Sequence, residues 1–224
     1  MNVLVIGNGG REHAILLALK KSPKVDKLYC MKGNAGTAQI ACNVDVDYMD
    51  AEAVKAFAIA HPEIDYYVVT PDDPLAIGIV DALESVGKRC FGPRKNAAVI
   101  EASKAFAKEL MKKYNIPTAK SATFDNYGDA LEYVRAQGAP IVLKADGLAL
   151  GKGVLICKTL KEAEEGLKEI MLDKAFGKAG EKIVIEECMR GLKYDPGEEV
   201  SVLAFTDGKT IVPMITSCDH KRIG

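Results

Sequence analysis

The chain has 224 residues, is 48% hydrophobic and carries a formal net charge of −1; it can bury a core for one large or two small domains, and without a basic stripe no nucleic-acid partner is expected. Its six cysteines are scattered, with no CxxC pair and no histidine cluster, which argues against a zinc site or a disulfide framework and for reduced thiols in a cytoplasmic protein. No apolar run approaches membrane-spanning length and the first, Val3 to Ile6, is too short for a signal peptide, so no membrane association is expected.

Residues 2–6, NVLVI, read as a buried strand that runs into Gly7-Asn8-Gly9-Gly10, with a helix from about Glu12 to Lys21. Strand, glycine turn and helix open a Rossmann-like unit whose helix N-terminus offers amides to an anion. The dinucleotide fingerprint is incomplete, because Glu12 stands at the third glycine position. The second strand, Lys27 to Met31, ends in Lys32-Gly33-Asn34-Ala35-Gly36-Thr37 rather than in an acid for a ribose hydroxyl. NAD is therefore disfavoured, and a phosphate held by Arg11 and the two glycine-rich turns is favoured, the bland reading being that both turns only connect elements. A helix is expected over Asp50 to Ala60, a strand over Asp65 to Val69, and one helix from Leu75 to Val86 after Thr70-Pro71-Asp72-Asp73-Pro74. In a doubly wound sheet the loops at 7–12, 32–37 and 70–74 share one edge. Asp72 and Asp73 either bind a sugar or amine there or cap the following helix.

Ser103 to Asn115 reads as a helix with Ser103 as N-cap. Lys104 in its first turn opposes the macrodipole unless an anion is near, either a nucleotide phosphate or nothing more than solvent around a surface lysine. A second α/β unit then begins: a strand over Thr118 to Phe124, a helix over Asp129 to Gln137, and the hairpin PIVLKADGLALGKGVLI at 140–156. The tip of that hairpin holds Gly147, Gly151 and Gly153 with Lys144 and Lys152, a combination of close backbone approach and ammonium groups that suits a polyphosphate. It lacks the order of a Walker A motif. After a helix over Leu160 to Leu172, the strand Lys182 to Glu187 ends in paired carboxylates. The run from Val200 to Phe205 suggests a central strand, and Asp207-Gly208 a hairpin turn. The chain closes on the polar cluster Asp219 to Gly224, which reads as the end of a fragment.

In this order, the segments GNGGREHA (7–14), GNAGT (33–37), TPDDPLAIGIVDAL (70–83), FGP (91–93), SKAFAKELM (103–111), IPTA (116–119), KADGLALGKGV (144–154), IEE (185–187), GEEVS (197–201) and DHKR (219–222) resemble the N-terminal half of the glycinamide ribonucleotide synthetase family. These are phosphoribosylamine–glycine ligases of the ATP-grasp superfamily. The resemblance implies an α/β fold, a Rossmann-like N-terminal domain followed by an incomplete ATP-grasp fold. Residues 1–101 would be the substrate domain, 102–120 a linker helix and the start of the ATP-grasp, 121–190 its lid, and 191–224 the start of a second subdomain. The implied reaction joins glycine to 5-phosphoribosylamine with ATP and Mg2+ or Mn2+, through a glycyl phosphate shielded from water by the lid.

Residue by residue, Lys104 and Lys144 resemble the family's phosphate-contacting lysines, and Gly151, Lys152 and Gly153 its mobile loop. Glu186, Glu187, Cys188 and Met189 match the adenine hinge, and Glu199 the ribose-binding acid. Gly10, Arg11, Glu12, Asn34, Gly36, Thr37 and Pro71 lie where the family holds phosphoribosylamine, and Asp219, Lys221 and Arg222 face the acyl-transfer site. The metal ligands fall outside this chain. Two departures stand out: Leu192 to Gly197 looks like an insertion of about six residues, and the family's second half is absent. The chain alone is thus expected to bind ligands incompletely, not to turn over, and to self-associate through a raw sheet edge. A bicarbonate-using ATP-grasp carboxylase and a non-catalytic ATP-binding module are the competing readings.

Overall fold

A computed structural model of the chain describes residues 1–148, 153–189 and 199–218. Its first part is a parallel sheet of order β3-β2-β1-β4-β5, built from β1 (Asn2–Gly7), β2 (Lys27–Lys32), β3 (Cys42–Val44), β4 (Tyr66–Val69) and β5 (Arg89–Phe91). Alternation along β1 explains why it reads as continuously apolar. Leu4 and Ile6 enter one core with Val54, Ala58, Ile79 and Leu83, while Val3 and Val5 enter a second with Leu16. Both faces are covered by helices, so neither needs polar residues. The helices are α1 (Gly10–Leu19), α2 (Ala51–Ala60), α3 (Asp72–Ile77), α4 (Ile79–Ser85) and α5 (Lys95–Ala102). The strand order reverses direction at β1, and the crevice above the C-terminal ends of β1 and β4 is where such sheets bind ligands.

One helix was expected from Leu75 to Val86; two are found. Gly78 takes φ 96°, ψ 35° and ends α3 as it starts α4, a left-handed conformation open to glycine at little cost. Asp72 and Asp73 lie in the first turn of α3, and Pro71 holds the N-cap position, so neither acid caps a helix starting at Leu75.

After α6 (Lys104–Lys113), the second part is a four-stranded antiparallel sheet of order β6-β9-β7-β8, with β6 (Ser121–Phe124), β7 (Ile141–Ala145), β8 (Val154–Cys157) and β9 (Ile183–Glu187). The first of these strands starts three residues later than expected from the sequence. Helices α7 (Tyr127–Gln137) and α8 (Leu160–Met171) cover one face. Asn126 and Thr159 cap them by accepting from the amides of Asp129 (3.1 Å) and Glu162 (3.2 Å), and Ala163, Gly166, Leu167 and Ile170 form the buried stripe of α8. That face takes Ile141, Leu143, Ala145, Ile183 and Ile185 into the core. By the period of two, Lys144 and Glu186 point from the opposite face. The expected hairpin of β7 with β8 is present, Leu143 opposite Leu155.

The segment 199–218 departs from expectation. In place of a central strand over 200–205 there are two short ladders, β10 (Val200–Ser201) with β13 (Ser217–Cys218), and β11 (Ala204–Thr206) with β12 (Ile211–Pro213). Apolar continuity reports a tendency to be covered but not what covers it, and here Val202, Leu203, Phe205 and Ile211 are all exposed. The Asp207-Gly208 turn is as read, with Asp207 accepting from the amides of Lys209 and Thr210. Phe205 meets Phe91 of the first sheet with ring centroids 5.8 Å apart.

Leu143 is fully buried at the centre of the second core. Leu143→Ala is expected to destabilise the chain by about 2–5 kcal/mol in urea denaturation; a loss near zero would mean that this core is loosely packed.

Candidate functional site

At the end of β1 the chain turns over Gly7, which has φ 131°, and Glu12 folds back across the turn. Its Oε2 accepts from the Gly9 amide at 2.7 Å and its Oε1 from the Thr70 hydroxyl at 2.7 Å. A Cβ on Gly7 would lie 2.6 Å from the Glu12 side chain. Glu12, at the position of the fingerprint's third glycine, is thus a buried carboxylate filling the space that Gly7 leaves by having no side chain, and its negative charge disfavours a pyrophosphate against Gly9. Gly10 and Arg11, one step further on, remain on the cavity wall with Pro71.

The neighbouring turn is held from inside. Asn34 Oδ1 accepts from the amides of Gly36 (2.8 Å) and Thr37 (3.0 Å), and its Nδ2 donates to the Asn8 carbonyl at 2.9 Å. The fully buried Thr37 hydroxyl accepts from the Asn34 amide at 2.7 Å. Asn34, Gly36 and Thr37 are not among the described residues of the cavity wall. They fix the turn and tie it to the β1–α1 turn.

On the second sheet, β7 and β9 pair with Lys144 opposite Val184 and Glu186 opposite Val142. Lys144 and Glu186 are therefore diagonal neighbours on the face not used by α7 and α8, and their Nζ and Oε2 atoms are 2.7 Å apart. The helix α6 adds Lys108, whose Nζ lies 3.0 Å from Glu186 Oε1. One turn earlier Lys104 donates to the Gly147 carbonyl at 2.7 Å.

Asp146 supplies the anion that the first turn of α6 calls for. Its carboxylate accepts from the Ala105 amide at 3.1 Å and from the Ser103 hydroxyl at 3.1 Å, so an internal carboxylate answers the macrodipole there. Burial pulls the Lys104 ammonium below the usual lysine range; Asp146 pushes it back up and Lys144 adds to the lowering.

These two sets of residues face one cavity of about 1260 Å³, walled by Gly10 and Arg11 from the first sheet edge and by Lys104, Lys108, Lys144 and Glu186 from the second unit. Gly153 and Met189 also line it. Glu187 does not; its Oε1 accepts from the Lys120 amide at 2.7 Å. Cys188 and Glu199 are likewise absent from the described wall. Gly151, Lys152, Asp219, Lys221, Arg222 and the expected insertion at 192–197 lie outside the described residues. Two wall or loop residues had escaped sequence reading. Lys108 is four residues from Lys104 and so shares its helix face, and Asp146 follows Lys144 at the strand end; the first was legible in the spacing, the second only through the fold.

Comparison with known proteins agrees with this architecture. Residues 1–101 match the family described as phosphoribosylglycinamide synthetase, N domain, and residues 102–224 its ATP-grasp (A) domain. The chain belongs to the phosphoribosylglycinamide synthetase family. Within the family, it is 48% identical to the phosphoribosylamine–glycine ligase of Pasteurella multocida across 100% of its own length and 51% of that protein. The chain thus spans about half the length of the curated relatives it matches. The crystal structure of phosphoribosylamine–glycine ligase from Thermotoga maritima superposes with a TM-score of 0.73 at 31% identity, over 96% of this chain and 49% of that one. An N5-carboxyaminoimidazole ribonucleotide synthetase solved as an ADP complex gives a TM-score of 0.73 at 18% identity, over 99% and 54%, and shares the fold alone. No helix among the described residues is long and apolar enough to cross a membrane.

Asp146→Asn keeps the shape of the α6 cap and removes its charge. It is expected to cost about 1 kcal/mol in denaturant unfolding. It should also shift Lys104 titration further down in side-chain NMR, since Asp146 now raises it; an upward shift would remove Asp146 as its counter-charge.

Proposed function

We propose that the chain forms the amine-substrate domain and the nucleotide-binding part of an ATP-dependent ligase that joins glycine to 5-phosphoribosylamine, giving glycinamide ribonucleotide, ADP and phosphate. The observation that carries this reading is the single cavity shared by the Gly10–Arg11 turn and the lysines of the second unit. In this reading residues 1–101 hold the sugar phosphate, with Arg11 and the Gly10 amide as its anion partners, and 102–120 join them to a lid over 121–190. Lys104 and Lys144 meet the nucleotide phosphates, backbone groups around Glu186 to Met189 meet the adenine, and Glu199 the ribose. Asp219, Lys221 and Arg222 are assigned to acyl transfer, and Gly151, Lys152 and Gly153 to the loop over the phosphates.

ATP supplies the leaving group that turns a glycine carboxylate into an electrophile. The residues of the chain hold charge and geometry, which is where catalysis of such a step resides. Glu12 and Pro71, which line the cavity beside Gly10 and Arg11, and Asn34, Gly36 and Thr37, whose bonds hold the neighbouring turn, complete the set assigned to phosphoribosylamine. Magnesium enters as the partner of ATP; among the described residues no group of three or more His, Cys, Asp or Glu could hold a metal ion, and no ligand is assigned.

Calorimetry of ATP binding to the chain, with Lys144→Ala beside it, tests the nucleotide assignment. Losing a charge-assisted contact is expected to weaken binding about 10–100-fold; equal affinity would take Lys144 out of the site. Self-association through the sheet edge, to which the exposed Val202, Leu203, Phe205 and Ile211 would add apolar surface, is expected to appear as a concentration-dependent sedimentation coefficient, and a monomer at every concentration would remove it.

A further inference from the structure

Lys108 has no part in the ligand contacts proposed above, yet it already has three partners, two in hydrogen bonds and one in an ion pair. An ammonium has three hydrogens to donate and no acceptor. Three oxygens lie within reach of this one: Thr118 Oγ1 at 2.7 Å, the Ala119 carbonyl at 3.0 Å and Glu186 Oε1 at 3.0 Å. The side chain is 11% exposed, so nothing is left over for a ligand. Lys144 is the opposite case. It is 27% exposed, lines the cavity, and among the described residues its partner is Glu186 Oε2 at 2.7 Å. Among the described residues its remaining donors have no partner.

The two lysines thus divide one nearly buried carboxylate between them. Glu186 alone with Lys144 would make a neutral buried pair, and an incoming anion would have to separate it against a strong attraction in a medium of low polarity. With Lys108 on the other oxygen, the three groups sum to one positive charge, and the exposed member of the set is Lys144. The bonds to Thr118 and Ala119 keep Lys108 in place whether or not Lys144 moves. The Glu186 carboxylate, for its part, is held on both oxygens and so is not free to seek a ligand of its own.

We propose that Lys108 is a positioning residue for phosphate recognition: as the counter-charge of Glu186, it leaves the Lys144 ammonium available to an anion in the cavity. This rests on the nucleotide reading of the site. It differs from a packing role in one respect. If Lys108 acts by charge, removing the charge of Glu186 repairs its loss; if it acts by packing, a second substitution in the same buried set cannot.

The test uses the chain with Lys108→Met, Lys108→Arg and Lys108→Met combined with Glu186→Gln, and two readouts. The first is ATP binding by calorimetry. The second, made without nucleotide, is the rate at which Lys144 is acetylated by an amine reagent, read by mass spectrometry. Lys108→Met is expected to weaken ATP binding about tenfold or more and to slow Lys144 acetylation several-fold, as one lost charge-assisted contact implies. Lys108→Arg should stay within about threefold of wild type, since the guanidinium keeps the charge. The double variant should recover both affinity and Lys144 reactivity. A double variant no better than Lys108→Met, or Lys144 reactivity unchanged by Lys108→Met, overturns the proposal. A wild-type chain that takes up no ATP while Lys144 reactivity follows the expected order overturns the nucleotide assignment and supports the charge sharing.

Discussion

The carboxylate of Glu186 lies nearly dry between the ammonium groups of Lys108 and Lys144, at 3.0 and 2.7 Å. A buried charge of this kind is tolerated only when paired and bonded on both sides. Meeting that requirement brings α6, β7 and β9 to one place, because each contributes one member. The ordering of α6 is reinforced by Asp146, which reaches from the end of β7 to the Ala105 amide and the Ser103 hydroxyl. Helix and sheet are therefore joined by charge at two points about one turn apart along α6, one at the end of β7 and one on β9, and the cavity lies along that seam.

The first sheet solves a similar problem with the opposite outcome. Its β1–α1 turn offers amides at a helix N-terminus, and the chain's own Glu12 takes the Gly9 amide while accepting from Thr70. An internal acid thus occupies part of the ground that a dinucleotide would use, and Gly10 and Arg11 are left on the cavity wall beside it. In both halves a carboxylate belonging to the chain decides which donors are left for a ligand.

Much of this was legible in the sequence where it depends on period and punctuation. The alternation in NVLVI, the glycine turns, the hairpin around Lys144 and the family resemblance carried by segments such as GNGGREHA and KADGLALGKGV all have local causes, and the fold and family agree with them. Partners far apart in the chain were less visible. Lys104 called for an anion nearby, and that Asp146, beyond two intervening elements, is one such anion became visible only with β7 docked on α6. Asn34 and Thr37 were singled out by the family resemblance as ligand contacts; the bonds by which they hold their turn and tie it to Asn8 and Asn43 were not visible in the sequence. The run at 200–205 misled for a different reason, since hydrophobic residues record that a face is to be covered without recording by which element.

The register of β7 on β9 has a consequence for how the chain tolerates change. Side chains alternate, so the residues that build the second core, Leu143 and Ile185, interleave with Lys144 and Glu186 on the cavity face. A slip of one residue in either strand would exchange the two sets, placing charges among α7 and α8 and leucine and isoleucine in the cavity. Insertions and deletions within these strands are thus filtered by folding before function is ever sampled, and the site can diversify by substitution far more readily than by changes of length.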